Sequence, residues 1–245
     1  MSEYIQTSQN NRTLTITLTR HNKKNAFTSD MYLSLENIFR EIATRDDLNS
    51  VVITGGEDFS AGNDLVDFLE NPPEDETAPP FRFMLALQEC PIPVIAAVNG
   101  FAVGIGTTLL LHCDLAYATE NTVFMLPFIN LALPPEFAST LSLPLLAGHV
   151  KASELLLLGE KFDAETALQM GLINKICTTE TLSETAQKAA EKLATKSRDT
   201  LIQTKKLLRR DIEPVKDRII YEAREFSSAV ASPLAREAID KILKR

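Results

Sequence analysis

Two stretches decide how this chain reads: Phe59-Ser60-Ala61-Gly62-Asn63-Asp64-Leu65 and, further on, Val98-Asn99-Gly100-Phe101-Ala102-Val103-Gly104-Ile105-Gly106. Each follows a short apolar run with the character of a buried strand, over 50–54 and 92–98 respectively. Both are loops of small residues, and both lead toward a helix start, where the first N–H groups have no intrahelical acceptor. Six of the nine glycines fall between 55 and 106, marking where backbone conformation or close backbone approach matters. Two such loops side by side would offer two backbone donors to one oxygen, an oxyanion hole made without side chains. Spacing alone fits two ordinary tight turns equally well.

Outward from these loops the pattern is α/β. Residues 12–20 alternate polar and apolar side chains, as in a half-buried strand. Met31, Leu35, Ile38, Phe39 and Ile42 repeat at helical spacing and predict a helix over 29–43. Further strands are expected at 114–119 and 123–126, with short helices at 81–89 and 104–111. Beyond these the chain reads as helical, over 136–147, 151–158, 163–170, 180–196, 198–210, 214–230 and 233–245. The last has a Ser232-Pro233 start and a stripe of Leu234, Ala238, Ile239 and Ile242 that must be covered. The segment 71–80 (NPPEDETAPP) holds four prolines and three acids and reads as a surface excursion or lid.

Composition removes several classes. With 245 residues, 44% hydrophobic and 24% charged, the chain can bury a core and is neither disordered nor fibrous. No run of ~18 apolar residues marks a membrane span. Cys90, Cys113 and Cys177 are odd in number and widely spaced, which suits a reducing, cytoplasmic setting. The start, MSEYIQTSQNNRT, lacks a secretory pattern, and the end, KILKR, matches no retention or peroxisomal tail. His21, His112 and His149 lie far apart, so no metal site is expected. G-x-S-x-G, P-loop and H-E-x-x-H patterns are absent, and GFAVGIG is not a dinucleotide fingerprint. Residues 196–245 carry +5 and residues 1–195 carry −13. The basic end suits solvated helices or the phosphates of a ligand, while the overall acidity argues against nucleic acid.

FSAGNDL together with AAVNGFAVGIGTTLLLHCDLAYAT resembles the crotonase superfamily, the enoyl-CoA hydratase/isomerase group. The likeness continues through ASELLLLGEKFDAETALQMGLINKI and covers essentially residues 12–245. The resemblance implies a crotonase-like spiral of ββα units over 1–195, with 196–245 as a helical trimerisation region of the same fold unit. It implies a homotrimer or homohexamer and a coenzyme A thioester as substrate, with no separate cofactor, metal, nucleic-acid or membrane partner. The thioester oxygen would sit between the backbone N–H groups of Asn63 and Ile105. Glycine is usual where this chain has Ile105, so the acyl pocket narrows there. Ala61, Gly62, Asn63, Asp64, Leu65 and Val66 match one coenzyme A-lining stretch, and Lys23 and Ala26 another. Asp64 also reads as the cap of the helix that follows, and His112 and Cys113 read as packing residues.

In the resemblance, hydratases use two glutamates to activate water, and here those positions are Thr108 and Phe128. Neither exchanges a proton at neutral pH, and Phe128 would dry the site. Leu131-Ala132-Leu133-Pro134-Pro135-Glu136-Phe137 instead resembles the Δ3-Δ2-enoyl-CoA isomerase branch, which implies Glu136 as the single acid/base of a double-bond shift in fatty-acid β-oxidation. Without the resemblance, Glu136 reads as an acid in the first turn of a helix, worth ~0.3–1 kcal/mol. Burial raises its pKa and a helix N-terminus lowers it. The alternatives are a hydratase with another base and a non-catalytic acyl-CoA or RNA binding protein.

Overall fold

The computed structural model describes residues 2–73 and 77–208. The helices expected at 214–230 and 233–245 lie outside them. So do the last residues of the helix expected over 198–210 and the middle of the proline-rich segment.

A hairpin opens the chain. β1 (Ile5–Asn10) pairs antiparallel with β2 (Thr13–Leu18) across Asn11, which takes the left-handed conformation (φ +49°) that asparagine tolerates in turns. Leu14, Ile16 and Leu18 face inward, as the alternation predicts. β1 was not foreseen, because IQTSQN buries only Ile5 and has no apolar alternation. α1 (Ser29–Thr44) starts at Thr28, whose Oγ1 accepts the Met31 N–H, and buries the expected stripe Met31, Leu35, Ile38, Phe39 and Ile42. β3 (Ser50–Thr54) follows, then α2 (Leu65–Glu70), α3 (Pro79–Gln88) and β4 (Val94–Val98).

From here the chain alternates between two sheets. β5 (Phe101–Val103) leaves the first sheet, and α4 (Ile105–Thr108) runs into a 3-10 turn at Leu109–His112. β6 (Leu115–Thr119) returns to the first sheet, and β7 (Val123–Met125) lies beside β5 in the second. Next come α5 (Ser139–Ala147), α6 (His149–Leu158), β8 (Lys161–Asp163), α7 (Ala164–Gln169), β9 (Lys175–Cys177) and α8 (Thr179–Ala194). The first sheet has the order β1-β2-β3-β4-β6-β9, parallel from β2 onward, and the second has the order β5-β7-β8. This is the α/β spiral that the resemblance implies. The structure corrects the expectation of an all-helical second half: β8 and β9 lie within it. It also starts α5 at Ser139, three residues later than expected, and replaces the 104–111 helix by one turn plus a 3-10 turn.

β3 and β4 are apolar and buried along nearly their whole length, as strands covered on both faces of a parallel sheet are. On one face α8 sets Leu182, Ala186 and Ala190 against Val52, Ile95, Ala97 and Cys177. The described residues form two compact units, one running to Lys196 and the other beginning at Ser197 with α9 (Arg198–Leu208). No described helix is long and apolar enough to cross a membrane. Because Leu182 fills the seam between α8 and the sheet, Leu182→Ala should cost about 2–4 kcal/mol of unfolding free energy in urea titration. A loss below about 0.5 kcal/mol, the range of surface substitutions, would contradict this packing.

Candidate functional site

The loops after β3 and β4 meet and lock. Ser60 N–H donates to Phe101 O at 2.8 Å, and Val103 N–H donates back to Ser60 O at 2.9 Å. Two glycines allow the approach. A Cβ on Gly62 would lie 2.9 Å from Val103 O, and Gly62 has φ +94°. A Cβ on Gly106 would lie 2.7 Å from Ser60 O. A third strand of contact comes from the loop before α1: Phe27 N–H donates to Gly62 O at 2.7 Å, and Asp64 N–H donates to Phe27 O at 2.8 Å.

This last ladder fixes Asn63. Its neighbours spend their groups on Phe27, so its own N–H turns away from Phe27. Ile105 is the first residue of α4, entered from Gly104 at φ +54°, ψ −119°. The first α4 bonds run from Thr107 and Thr108 N–H to Gly104 O, leaving the Ile105 N–H as a helix-start donor. Neither N–H donates to any described residue. Gly62 lies against Val103 and Gly104, so the residues following them, Asn63 and Ile105, are brought together. Ile105 itself is buried.

Glu136 does not sit in a helix turn. It precedes α5 by three residues, and its carbonyl accepts from Ser139 N–H and Oγ. Thr108, fully buried on α4, donates its hydroxyl to Glu136 Oε1 at 2.6 Å. Oε2 is buried with no hydrogen-bond partner, although the residue as a whole is only half-buried. Burial pushes the Glu136 pKa up to about 7, against a smaller pull downward from the Thr108 hydroxyl. The opposing influence is thus that hydroxyl and not a helix N-terminus. Phe128 is buried and caps a 3-10 turn at Ile129–Leu131.

The remaining expected residues border these loops. Asp64 caps α2 by accepting Val66 and Asp67 N–H at 3.0 and 3.2 Å, and it pairs with Arg20 at 2.7 Å. Burial opposes its charge, but Arg20 and these N–H groups hold its pKa below the usual value. Lys23 is exposed, Ala26 is buried, and Ala61 N–H donates to Lys24 O. Leu65 and Val66 expose apolar side chains on α2. Cys113 is half-buried.

Two residues near the site were not foreseen as part of it. Tyr32, buried in α1, donates its hydroxyl to Asn63 Oδ1 at 2.5 Å. Burial raises its pKa, and the charges of Glu136 and Asp67 raise it further. In the sequence Tyr32 is one more buried residue of an amphipathic helix, and no local signal separates it from its neighbours. His112, read as packing, also makes a directed hydrogen bond, to Phe137 O at 2.7 Å.

Residues 8–242 match the enoyl-CoA hydratase/isomerase family, and the chain belongs to it. It is 36% identical over 205 residues to the 1,2-epoxyphenylacetyl-CoA isomerase of Escherichia coli K12, covering 80% of this chain and 78% of that one. It is 32% identical over 238 residues to the peroxisomal enoyl-CoA delta isomerase 3 of Mus musculus, covering 94% and 73%. Among solved structures, a Magnetospirillum magneticum AMB-1 protein provisionally assigned as an enoyl-CoA hydratase/carnithine racemase superposes with a TM-score of 0.95 at 42% identity, covering 100% and 97%.

The Gly62 contact gives a direct check. Gly62→Ala places a Cβ against Val103 O at a positive φ, so it should cost about 1–3 kcal/mol of stability in denaturant unfolding. A neutral substitution would mean that the two loops do not pass this closely.

Proposed function

We propose that this chain shifts the double bond of a 3-enoyl-CoA to the 2-position, with Glu136 as the single acid/base. The observation that carries the reading is a buried carboxylate with one oxygen held by Thr108, one oxygen without a partner, and a pKa about 7. A group balanced near neutrality can both accept and return a proton. The Glu136 carboxylate takes a C2 proton, and the released pair spreads through C1 onto the thioester oxygen and through C3 onto C4, giving a dienolate. The N–H groups of Asn63 and Ile105 hold that oxygen, each such donor being worth about 3 kcal/mol. Glu136 then returns the proton to C4, leaving the C2=C3 double bond conjugated with the thioester.

Residue types at the two other positions favour this reading over hydration. Thr108 and Phe128 stand where a hydratase needs its acids, and neither activates water. Lys23, Ala26 and the run from Ala61 to Val66 line the coenzyme A in this proposal, the thioester is the substrate, and no further cofactor takes part. The proposed assembly is a trimer or a pair of trimers.

Incubation of the protein with 3-hexenoyl-CoA should yield 2-hexenoyl-CoA, and Glu136→Gln should lower the rate by at least ~10²-fold. Rapid addition of water to 2-hexenoyl-CoA by the same protein would overturn the isomerase reading. The pH profile supplies a second check. A base must be ionised to act, so kcat/KM should fall as pH drops through about 7. The Thr108 hydroxyl lowers the Glu136 pKa, so Thr108→Val should move that fall to higher pH. A shift to lower pH would contradict the assigned hydrogen bond.

A further inference from the structure

The backbone just after Glu136 is strained. Phe137 and Ala138 both lie in the left-handed region, at φ +56° and +52°. Neither is glycine or asparagine, and a bulky residue there is uncommon and costs free energy unless its surroundings enforce it. The turn lies directly after Glu136, between Pro134-Pro135 and α5. Something must therefore hold it.

One side chain does this in two ways. His112 Nε2 stands 2.7 Å from Phe137 O. A carbonyl only accepts, so Nε2 carries a hydrogen and donates it. The imidazole also stacks on the Phe137 ring, with centroids 3.8 Å apart and planes 13° from parallel. The Phe137 ring packs in turn against Phe83 of α3, 6.5 Å between centroids. His112 ends the 3-10 turn that continues α4, four residues after Thr108, which grips the Glu136 carboxylate. One short helical stretch thus holds Glu136 at both ends: Thr108 by its carboxylate, His112 by the peptide that follows it. The same stretch begins with the Ile105 N–H, so the base and the oxygen-binding donor share one rigid mount.

We propose that His112 is a positioning residue for the isomerisation, holding the left-handed turn at Phe137–Ala138 so that Glu136 stays aimed at the substrate carbons. It rests on Glu136 being the base. His112 does not touch the substrate and exchanges no proton with it. Misplacing a catalytic group by about 1 Å can cost 10²-fold in rate, so a released turn acts on turnover and not on binding.

The test compares wild type, His112→Phe and His112→Gln with 3-hexenoyl-CoA as substrate and hexanoyl-CoA as an unreactive ligand. His112→Phe keeps a ring to stack but has no donor, and His112→Gln keeps a donor without the ring. The expected result for His112→Phe is a 10- to 100-fold lower kcat, in line with that sensitivity to misplacement, with KM and the hexanoyl-CoA dissociation constant within about twofold of wild type. His112→Gln should recover most of the lost kcat. If His112→Phe gives no folded protein, His112→Leu and His112→Gln carry the same comparison. An unchanged kcat in the donor-free variant, or a loss of hexanoyl-CoA binding in step with kcat, overturns the inference. Absence of isomerisation in the wild type overturns the assignment of Glu136 as well, whereas wild-type turnover with an unaltered His112→Phe overturns this inference alone.

Discussion

The close passage of two backbones through Gly62 and Gly106 is the constraint on which the site depends. Ser60 bonds to both Phe101 and Val103, so the loop after β3 runs as a strand beside the loop after β4. A side chain at either glycine would meet a carbonyl oxygen at under 3 Å. That contact draws β5 out of the first sheet and into the second. It also delivers the chain to Gly104, where a conformation closed to other residues starts α4. The N–H groups of Asn63 and Ile105 are both left without a backbone acceptor among the described residues. Their orientation is set by hydrogen bonds that neighbouring residues make, so in the proposed reaction they need no reorganisation to receive a charge.

The carboxylate beside them follows a different logic. In the proposed reaction the backbone donors are fixed by the fold, whereas the proton carrier must be tuned. Glu136 has one oxygen satisfied by Thr108 and one left without a partner. An unsatisfied buried carboxylate oxygen is costly, and the cost shows as a pKa raised to about 7. A second donor on Oε2 would make the ion comfortable and the base weak. Tyr32 illustrates the restraint. Its hydroxyl hydrogen goes to Asn63 Oδ1, and Glu136 reaches it only through its charge.

How much of this was legible in the chain itself depends on range. β3 and β4 were readable because strands covered on both faces must be apolar throughout, and α1 because its stripe repeats at 3.6 residues. The glycine loops announced themselves by composition. β5, β8 and β9 were hidden because three residues carry no periodicity and pair only after the spiral has closed. β1 was hidden because its outward face is polar and so is most of its inward one. At the site, Glu136 was visible through the resemblance alone. Its setting was not: the sequence suggests a helix start at 136, whereas the structure puts a strained turn between Glu136 and Ser139. Phe137 and Ala138 give no hint of positive φ, since the residues that favour it are glycine and asparagine. The burden falls on a tertiary contact from His112, twenty-five residues away.

That division of labour explains why proteins of such similar sequence carry names for different reactions. An epoxide isomerase, a double-bond isomerase and a protein provisionally assigned as a hydratase/racemase all resemble this chain over most of its length. The proposed oxygen site is made of backbone N–H groups, so it does not depend on which side chains a relative carries. What happens to the carbon skeleton is then decided by the few positions that can carry a proton. In the proposed function, Thr108 and Phe128 stand where the resemblance places hydratase acids and exchange no proton at neutral pH, and Glu136 is held by a hydroxyl and a strained peptide. In the proposed function the backbone therefore supplies the charge stabilisation, while the side chains at 108, 128 and 136 suit a reaction that needs one proton carrier and no water.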